Sequence, residues 1–225
     1  MIIPRIYNIH DQAITIEFAT AISDATNMQV IAMQHAIESN PIKGFVEAVP
    51  AYGSMTVYFN DQVSTATVRG WLCDLSAQVS NTLLATKGKQ ISIPVCYDPS
   101  LGIDLPWVAA HLSLSMESII ELHTSIAYRV YMIGFIPGFP YMGTLPTALE
   151  VPRKLTPSMK IPAGSVAIAG KQTGIYPAEV PGGWQVIGRT PLKMFDPSTT
   201  PCSFLNAGDI VQFKPITLEA FNQYQ

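Results

Sequence analysis

The 225-residue chain is 48% hydrophobic and only 13% charged, with a formal net charge of -3. That composition excludes a disordered chain, supplies core for one large domain or two small ones, and gives no general attraction for nucleic acid. No run of 18 apolar residues occurs, so no membrane-spanning helix is expected. The opening "MIIPRIYNIHDQ" lacks the basic-then-apolar layout of a signal peptide. Three scattered cysteines, Cys73, Cys96 and Cys202, fit a reducing cytoplasm better than a disulfide framework.

In chain order, "AITIEF" sets Ile14, Ile16 and Phe18 on one face, the period-2 mark of a strand. "SDATNMQVIAMQHAIESN" follows as a helix, with Ser23 and Asp24 as caps, Val30, Met33 and Ile37 as its apolar stripe, and Pro41 beyond its end. "FVEAV" and "SMTVYF" are two strands about a turn at residues 50–53. A second helix starts near Ser64 and carries Val68, Leu72, Leu75 and Val79. "ISIPV" then closes a βαββαβ set, an α+β ferredoxin-like domain over residues 1–90 with both helices on one sheet face.

From Asp98 the pattern changes. "DLPWVAAHL" and "SMESIIELH" are two short helices, with Pro106 in a first turn and Ser115 as a cap. Short strands follow: "IAYRVYMIG", "SVAIAG", "GWQVIG", "LKMF" and "DIVQF". Residues 134–197 hold 10 of the 18 prolines and 9 of the 15 glycines, which implies a barrel or sandwich over residues 91–225 with its prolines in loops and at strand ends.

Charge is unevenly placed. Residues 1–149 carry 11 acidic and 6 basic side chains, whereas residues 150–195 set Glu150 and Glu179 against Arg153, Lys154, Lys160, Lys171, Arg189 and Lys193. This basic stretch is either a solvated face or a site for a small carboxylate or phosphate. The four histidines and three cysteines show no metal-ligand spacing, so no metal site is expected. No GxSxG, GxGxxG-helix or P-loop pattern occurs. His123, at the end of its helix, is either a favourable cation at a C-terminus or a general acid or base. "PAGSVAIAG" and "KQTGIYPAEVPGGWQVIGRTP" place Gly164, Ser165, Gln172, Thr173, Tyr176, Trp184 and Arg189 among turns whose backbone N–H groups suit an oxyanion; Arg189 suits a carboxylate. "GFIPGFPYMG", Gly134 to Gly143, reads as a strand-exit loop that holds aromatic rings at a surface.

The segments "ELHTS", "YRVYMIGFIPGFPYMGTLP" and "VPRKLTPSMKIPAGSVAIAGKQTGIYPAEVPGGWQVIGRTPLKMFDP" closely resemble the KipI family, also called PxpB (a 5-oxoprolinase component) or allophanate hydrolase subunit 1, and carboxyltransferase domain C/D-like. "PRIYNIHDQAITIEF" and "VPAYGSMTVYF" resemble its N-terminal part. The resemblance implies a cyclophilin-like β-barrel for the second half. It implies a homologous barrel partner of the KipA/PxpC type and a third, PxpA-like subunit. Together these open 5-oxoproline to glutamate with ATP as co-substrate of the complex, so this chain alone is expected to be inactive. Two alternatives go with it: inhibition of a sensor histidine kinase, and the carboxyltransferase part of a urea-carboxylase-type system.

On this resemblance His123 is the candidate for proton transfer. Arg153, Lys154, Gly164, Ser165, Gln172, Thr173, Tyr176 and Arg189 are candidate ligand contacts. Phe135, Pro137, Gly138, Phe139, Tyr141, Pro177, Gly183 and Trp184 are candidates for a pocket wall or partner interface. Phe139→Ala is expected to weaken binding more than folding.

Overall fold

The structure, a computed structural model, describes residues 4–21, 23–81 and 88–224, and the chain divides into two units, Met1–Lys87 and Gly88–Gln225. In the first unit, strands β1 (Arg5–His10), β2 (Ala13–Glu17), β3 (Phe45–Pro50) and β4 (Ser54–Phe59) form one antiparallel sheet in the order β1-β2-β4-β3. Helix α1 (Asp24–Ser39) starts where the Ser23 hydroxyl accepts the Thr26 N–H, and α2 (Thr65–Asn81) where Ser64 accepts from Thr67. These caps occupy N–H groups that have no partner inside a helix. Val30, Met33 and Ile37 of α1 and Val68, Leu72 and Leu75 of α2 pack in one cluster with Ile14, Ile16, Met55 and Val57, so both helices cover one sheet face.

The order within this unit is ββαββα, not the βαββαβ of a ferredoxin-like domain. The strand expected to close the sheet, "ISIPV", leaves it for the second unit, and β1 holds the edge beside β2 instead. Alternation in "ISIPV" fits either sheet and names no partner. β1 carries no sequence signal because it is an edge strand whose residues are mostly exposed or half-buried, so no apolar period marks it.

The second unit is a closed barrel with strand order β10-β7-β6-β13-β5-β12-β9. Its strands are β5 (Gln90–Cys96), β6 (Ala127–Ile133), β7 (Pro140–Gly143), β9 (Ser165–Ala169), β10 (Gln172–Ile175), β12 (Gln185–Arg189) and β13 (Ile210–Ile216). β5 and β13 pair in parallel over seven positions, and the other neighbours are antiparallel. Helices α3 (Leu105–Leu112) and α4 (Met116–Thr124) pack with β12 and β13, and a last short helix α5 (Leu218–Asn222) follows β13. A two-stranded arm, β8 (Ser158–Ile161) with β11 (Val180–Gly182), stands outside the barrel.

Alternation along β9 sorts side chains to two places: Val166 and Ile168 enter the barrel core with Ile93, Val130, Met142 and Phe213, while Ala167 and Ala169 join an outer cluster with Phe139, Tyr176 and Trp184. Two sequence expectations fail here. "LKMF" is not a strand, because Pro191 and Pro197 flank it and only one bridge, Phe195 to Ser203, forms. "PYMG", expected within a loop, is β7, a barrel strand whose proline takes the first position, where a missing N–H is tolerated.

Candidate functional site

The stretch from Gly134 to Gly143 builds one wall of a cleft. Its loop is closed by its own backbone bonds: Gly134 N donates to Phe139 O at 3.1 Å, Ile136 N to Gly134 O at 2.9 Å and Phe139 N to Ile136 O at 3.1 Å. Phe135 adopts the left-handed region, φ 68°, which is costly for a residue with a side chain. That conformation leaves its ring 60% exposed, edge-on to Phe139 at 5.7 Å. Phe139 itself is the centre of the outer cluster. Its ring meets Tyr141 at 4.8 Å, Tyr176 at 5.1 Å and Trp184 at 5.6 Å, all in T-shaped contacts. Gly174 of β10 leaves room for it, since a Cβ there would lie 2.7 Å from Phe139 Cζ.

These rings, with Arg153, Pro157, Pro181, Gly182 and Gly183, line a cleft of about 300 Å³ between the barrel and the β8–β11 arm. Arg153 is exposed at this cleft and makes no ion pair or hydrogen bond among the described residues. Burial pushes the Tyr141 and Tyr176 phenols above their ordinary pKa, and the Arg153 charge pulls both part of the way back. Both phenols are therefore neutral near pH 7, and the guanidinium is the local charge. The cleft offers one unpaired planar cation, aromatic walls and a polar rim, a combination that suits a small molecule with a carboxylate at one end.

Arg153 also borders a second depression of about 510 Å³, lined by Asp104, Trp107, Leu155 and Gln185 among others. Lys154 lies there but is not a free cation: its Nζ is 2.6 Å from Asp104 Oδ2 and donates to Ser158 Oγ at 2.8 Å. Asp104 in turn accepts the Val186 N–H at 2.7 Å, which ties the start of α3 to β12. Lys154 thus holds the 150s segment against the barrel. Gln185 assists, donating to Pro152 O at 3.1 Å.

His123 sits elsewhere. It is fully buried in the barrel interior, stacked on Phe213 at 4.7 Å. Thr173 Oγ1 donates to Ala167 O at 3.2 Å, so it receives the His123 Nε2–H at 3.0 Å, and Nδ1 accepts the Tyr97 hydroxyl at 2.8 Å. Every polar group in this chain of bonds has a partner, which is the condition for burying it cheaply. Burial lowers the imidazole pKa from 6.5 to about 3, so the ring is neutral. His123 borders none of the clefts described.

The sequence candidates therefore separate into groups. Phe135, Phe139, Tyr141, Arg153, Tyr176, Gly183 and Trp184 meet at the first cleft. Gly164, Pro177 and Arg189 border a different one. His123 and Thr173 bond to one another inside the barrel, Ser165 is buried, and Gln172 takes its place in β10 against Gly143 and Ala169. Pro137 and Gly138 turn the loop and border neither cleft. Reasoning from sequence does not mark Pro157, Pro181 and Gly182, which the arm brings in; the signal for them is only the proline and glycine content of the segments that form it.

Phe139 is 2% exposed at the centre of the outer cluster, so Phe139→Ala is expected to cost folding as well as binding. The milder Phe139→Leu, which keeps apolar volume and loses the ring contacts, is expected to cost about 1–2 kcal/mol in urea unfolding.

The carboxyltransferase domain, subdomain C and D, family model matches residues 4–205. A Bacillus subtilis (strain 168) protein named as a B-type component of 5-oxoprolinase is 39% identical over 98% of this chain and 96% of its own length. The crystal structure of the conserved uncharacterized protein PH0987 from Pyrococcus horikoshii is 42% identical, with a TM-score of 0.58 over 96% of this chain and 100% of that one. The crystal structure of TTHA0988 is 35% identical with a TM-score of 0.80; it matches 91% of this chain, which spans 40% of that longer one.

Proposed function

We propose that this chain, which belongs to the carboxyltransferase domain, subdomain C and D, family, is the PxpB-type component of an ATP-dependent 5-oxoprolinase. Three proteins named as this component of 5-oxoprolinase are 38–39% identical over at least 93% of this chain, which supports the assignment. The single observation that carries it to a site is the unpaired Arg153 guanidinium on an aromatic cleft of about 300 Å³. 5-Oxoproline is a small five-membered lactam with one carboxylate. Its carboxylate accepts two hydrogen bonds from Arg153, and its flat ring lies against the Tyr141, Tyr176 and Trp184 rings.

The overall reaction converts 5-oxoproline, ATP and two waters to glutamate, ADP and phosphate. Attack of the lactam carbonyl oxygen on the γ-phosphorus breaks the bond to ADP and leaves a phosphorylated, electrophilic carbon. A first water adds to that carbon, the C–N bond breaks, nitrogen takes a proton, and the carbon is left as an acyl phosphate; a second water hydrolyses this to the side-chain carboxylate and releases phosphate. This chain's share is to bind and orient the carboxylate and to keep water from the ring face. It has no P-loop, so ATP is a co-substrate of the complex. The remaining groups come from a homologous KipA/PxpC-like barrel and a PxpA-like third subunit. Exposed Leu155, Met159 and Trp107, near Arg153 in the 150s segment, its arm and α3, fit a face that a partner covers. His123, enclosed and neutral, buttresses the barrel wall behind Thr173 and is not assigned proton transfer. The barrel is read as cyclophilin-like and the setting as cytoplasmic; no described helix is long and apolar enough to cross a membrane.

The test is reconstitution. The purified chain alone yields no glutamate from 5-oxoproline and ATP, whereas the mixture with both partner subunits does. A folded three-subunit mixture that forms no glutamate sinks the reading.

A further inference from the structure

The cleft beside Arg189 takes no part in the 5-oxoproline site proposed at Arg153. It has a volume of about 290 Å³ and lies on the outside of the barrel, where Gly164, Pro177, Leu192, Phe221 and Tyr224 surround the guanidinium. Arg189 Nε donates to Ala163 O at 2.7 Å, which fixes the plane of the group. Its two terminal nitrogens make no ion pair or hydrogen bond among the described residues. The neighbouring cation Lys193 is already committed to Asp196 at 2.7 Å.

A second observation points the same way. Ser165 lies directly opposite Arg189 in the β9–β12 ladder, and directly opposed residues share a sheet face. Val166, the next residue, enters the barrel core, so Ser165 and Arg189 are both on the outer side. Ser165 is 1% exposed, and its Oγ has no hydrogen-bond partner among the described residues. A buried hydroxyl without a partner is uncommon and needs a reason. Here it stands across the ladder from Arg189, whose two terminal nitrogens also lack one among the described residues.

We propose that this cleft is a second carboxylate site, separate from that of Arg153, which takes a small free carboxylate on an apolar body. The two terminal nitrogens of Arg189 donate to the carboxylate oxygens. Pro177, Leu192, Phe221 and Tyr224 supply apolar contact for the body. One uncommitted cation among apolar walls matches a monoanion; a phosphate dianion would leave charge uncompensated.

Benzoate is the probe, titrated into the full-length chain by calorimetry and by amide chemical shifts. Wild type binds it, with shifts at Gly164, Arg189 and Tyr224. Arg189→Gln weakens the binding read by the shifts at Gly164 and Tyr224 at least tenfold, Arg153→Gln leaves those shifts unchanged, and inorganic phosphate does not compete for them. Should Arg189→Gln fail to fold, Arg189→Lys keeps the charge, loses the fork, and weakens binding too. The proposal is overturned if benzoate shifts none of these amides in wild type, if Arg189 variants show the wild-type shifts at Gly164 and Tyr224, or if Arg153→Gln abolishes them. None of these outcomes touches the 5-oxoproline assignment, which is read separately by glutamate formation.

Discussion

Arg153→Gln lowers kcat/KM for 5-oxoproline in the reconstituted complex by roughly 100-fold, about 2.7 kcal/mol of lost transition-state stabilisation. The effect is large because the guanidinium is the one uncommitted charge at a cleft whose other polar groups are neutral phenols and backbone. It is selective because Arg153 has no partner within the protein among the described residues, so its loss breaks no internal bond. The melting temperature is expected to stay within about two degrees of wild type, as for other exposed substitutions. Arg153→Lys falls between the two: a point charge remains, and the bidentate geometry goes. By contrast, Lys154→Gln strands the Asp104 carboxylate in a mostly buried setting, so it acts on stability before binding. Equal kcat/KM for wild type and Arg153→Gln, each in intact complex, removes the carboxylate role from this residue.

The N-terminal unit is legible in the sequence where a period exists. Ile14, Ile16 and Phe18 alternate, Val30, Met33 and Ile37 recur at helical spacing, and these residues meet in one cluster. What alternation does not encode is which strand a strand will join. "ISIPV" is apolar at Ile91, Ile93 and Val95 whether it closes the first sheet or runs beside β13, and only the pairing decides. "PYMG" is hidden for the opposite reason. Its proline and glycine read as a turn, yet at four residues β7 has room for a proline at its first position and for Gly143 against Tyr131. The candidate site is legible as composition and not as geometry. Basic excess and aromatic loops point to Arg153, Tyr141, Tyr176 and Trp184, which do converge. Nothing in sequence order separates Arg153 from Arg189, because two sides of a small barrel are built from interleaved strands. For His123 a signal does exist: Ile119 lies four residues earlier on α4, on the same face, and both are buried.

His123→Gln separates a buttress from a proton donor, and acid is the means. The folded imidazole has its pKa lowered to about 3 by burial, against 6.5 for the free group. Below pH 6.5 the unfolded chain therefore takes up a proton that the folded one refuses. Stability supplied by the neutral ring is complete above pH 6.5 and is lost as pH falls from 6.5 towards 3, by about 1.4 kcal/mol per unit. Glutamine has no such titration. Above pH 6.5 the variant is the less stable protein by roughly 3 kcal/mol, because it loses the stack on Phe213 and the Nδ1 acceptor for Tyr97. As pH falls, other groups titrate alike in both proteins, and the gap between them narrows with the slope of the histidine alone. Urea unfolding of both proteins across that range measures it. Parallel curves would mean that the ring is not held neutral. Activity supplies the second readout. A folded His123→Gln complex keeps kcat within about tenfold if the residue only supports the wall through Thr173, and loses roughly a thousandfold if it moves a proton in the reaction. A large loss of kcat with an unchanged unfolding curve would reverse the assignment, because a buttress cannot be removed without weakening what it supports.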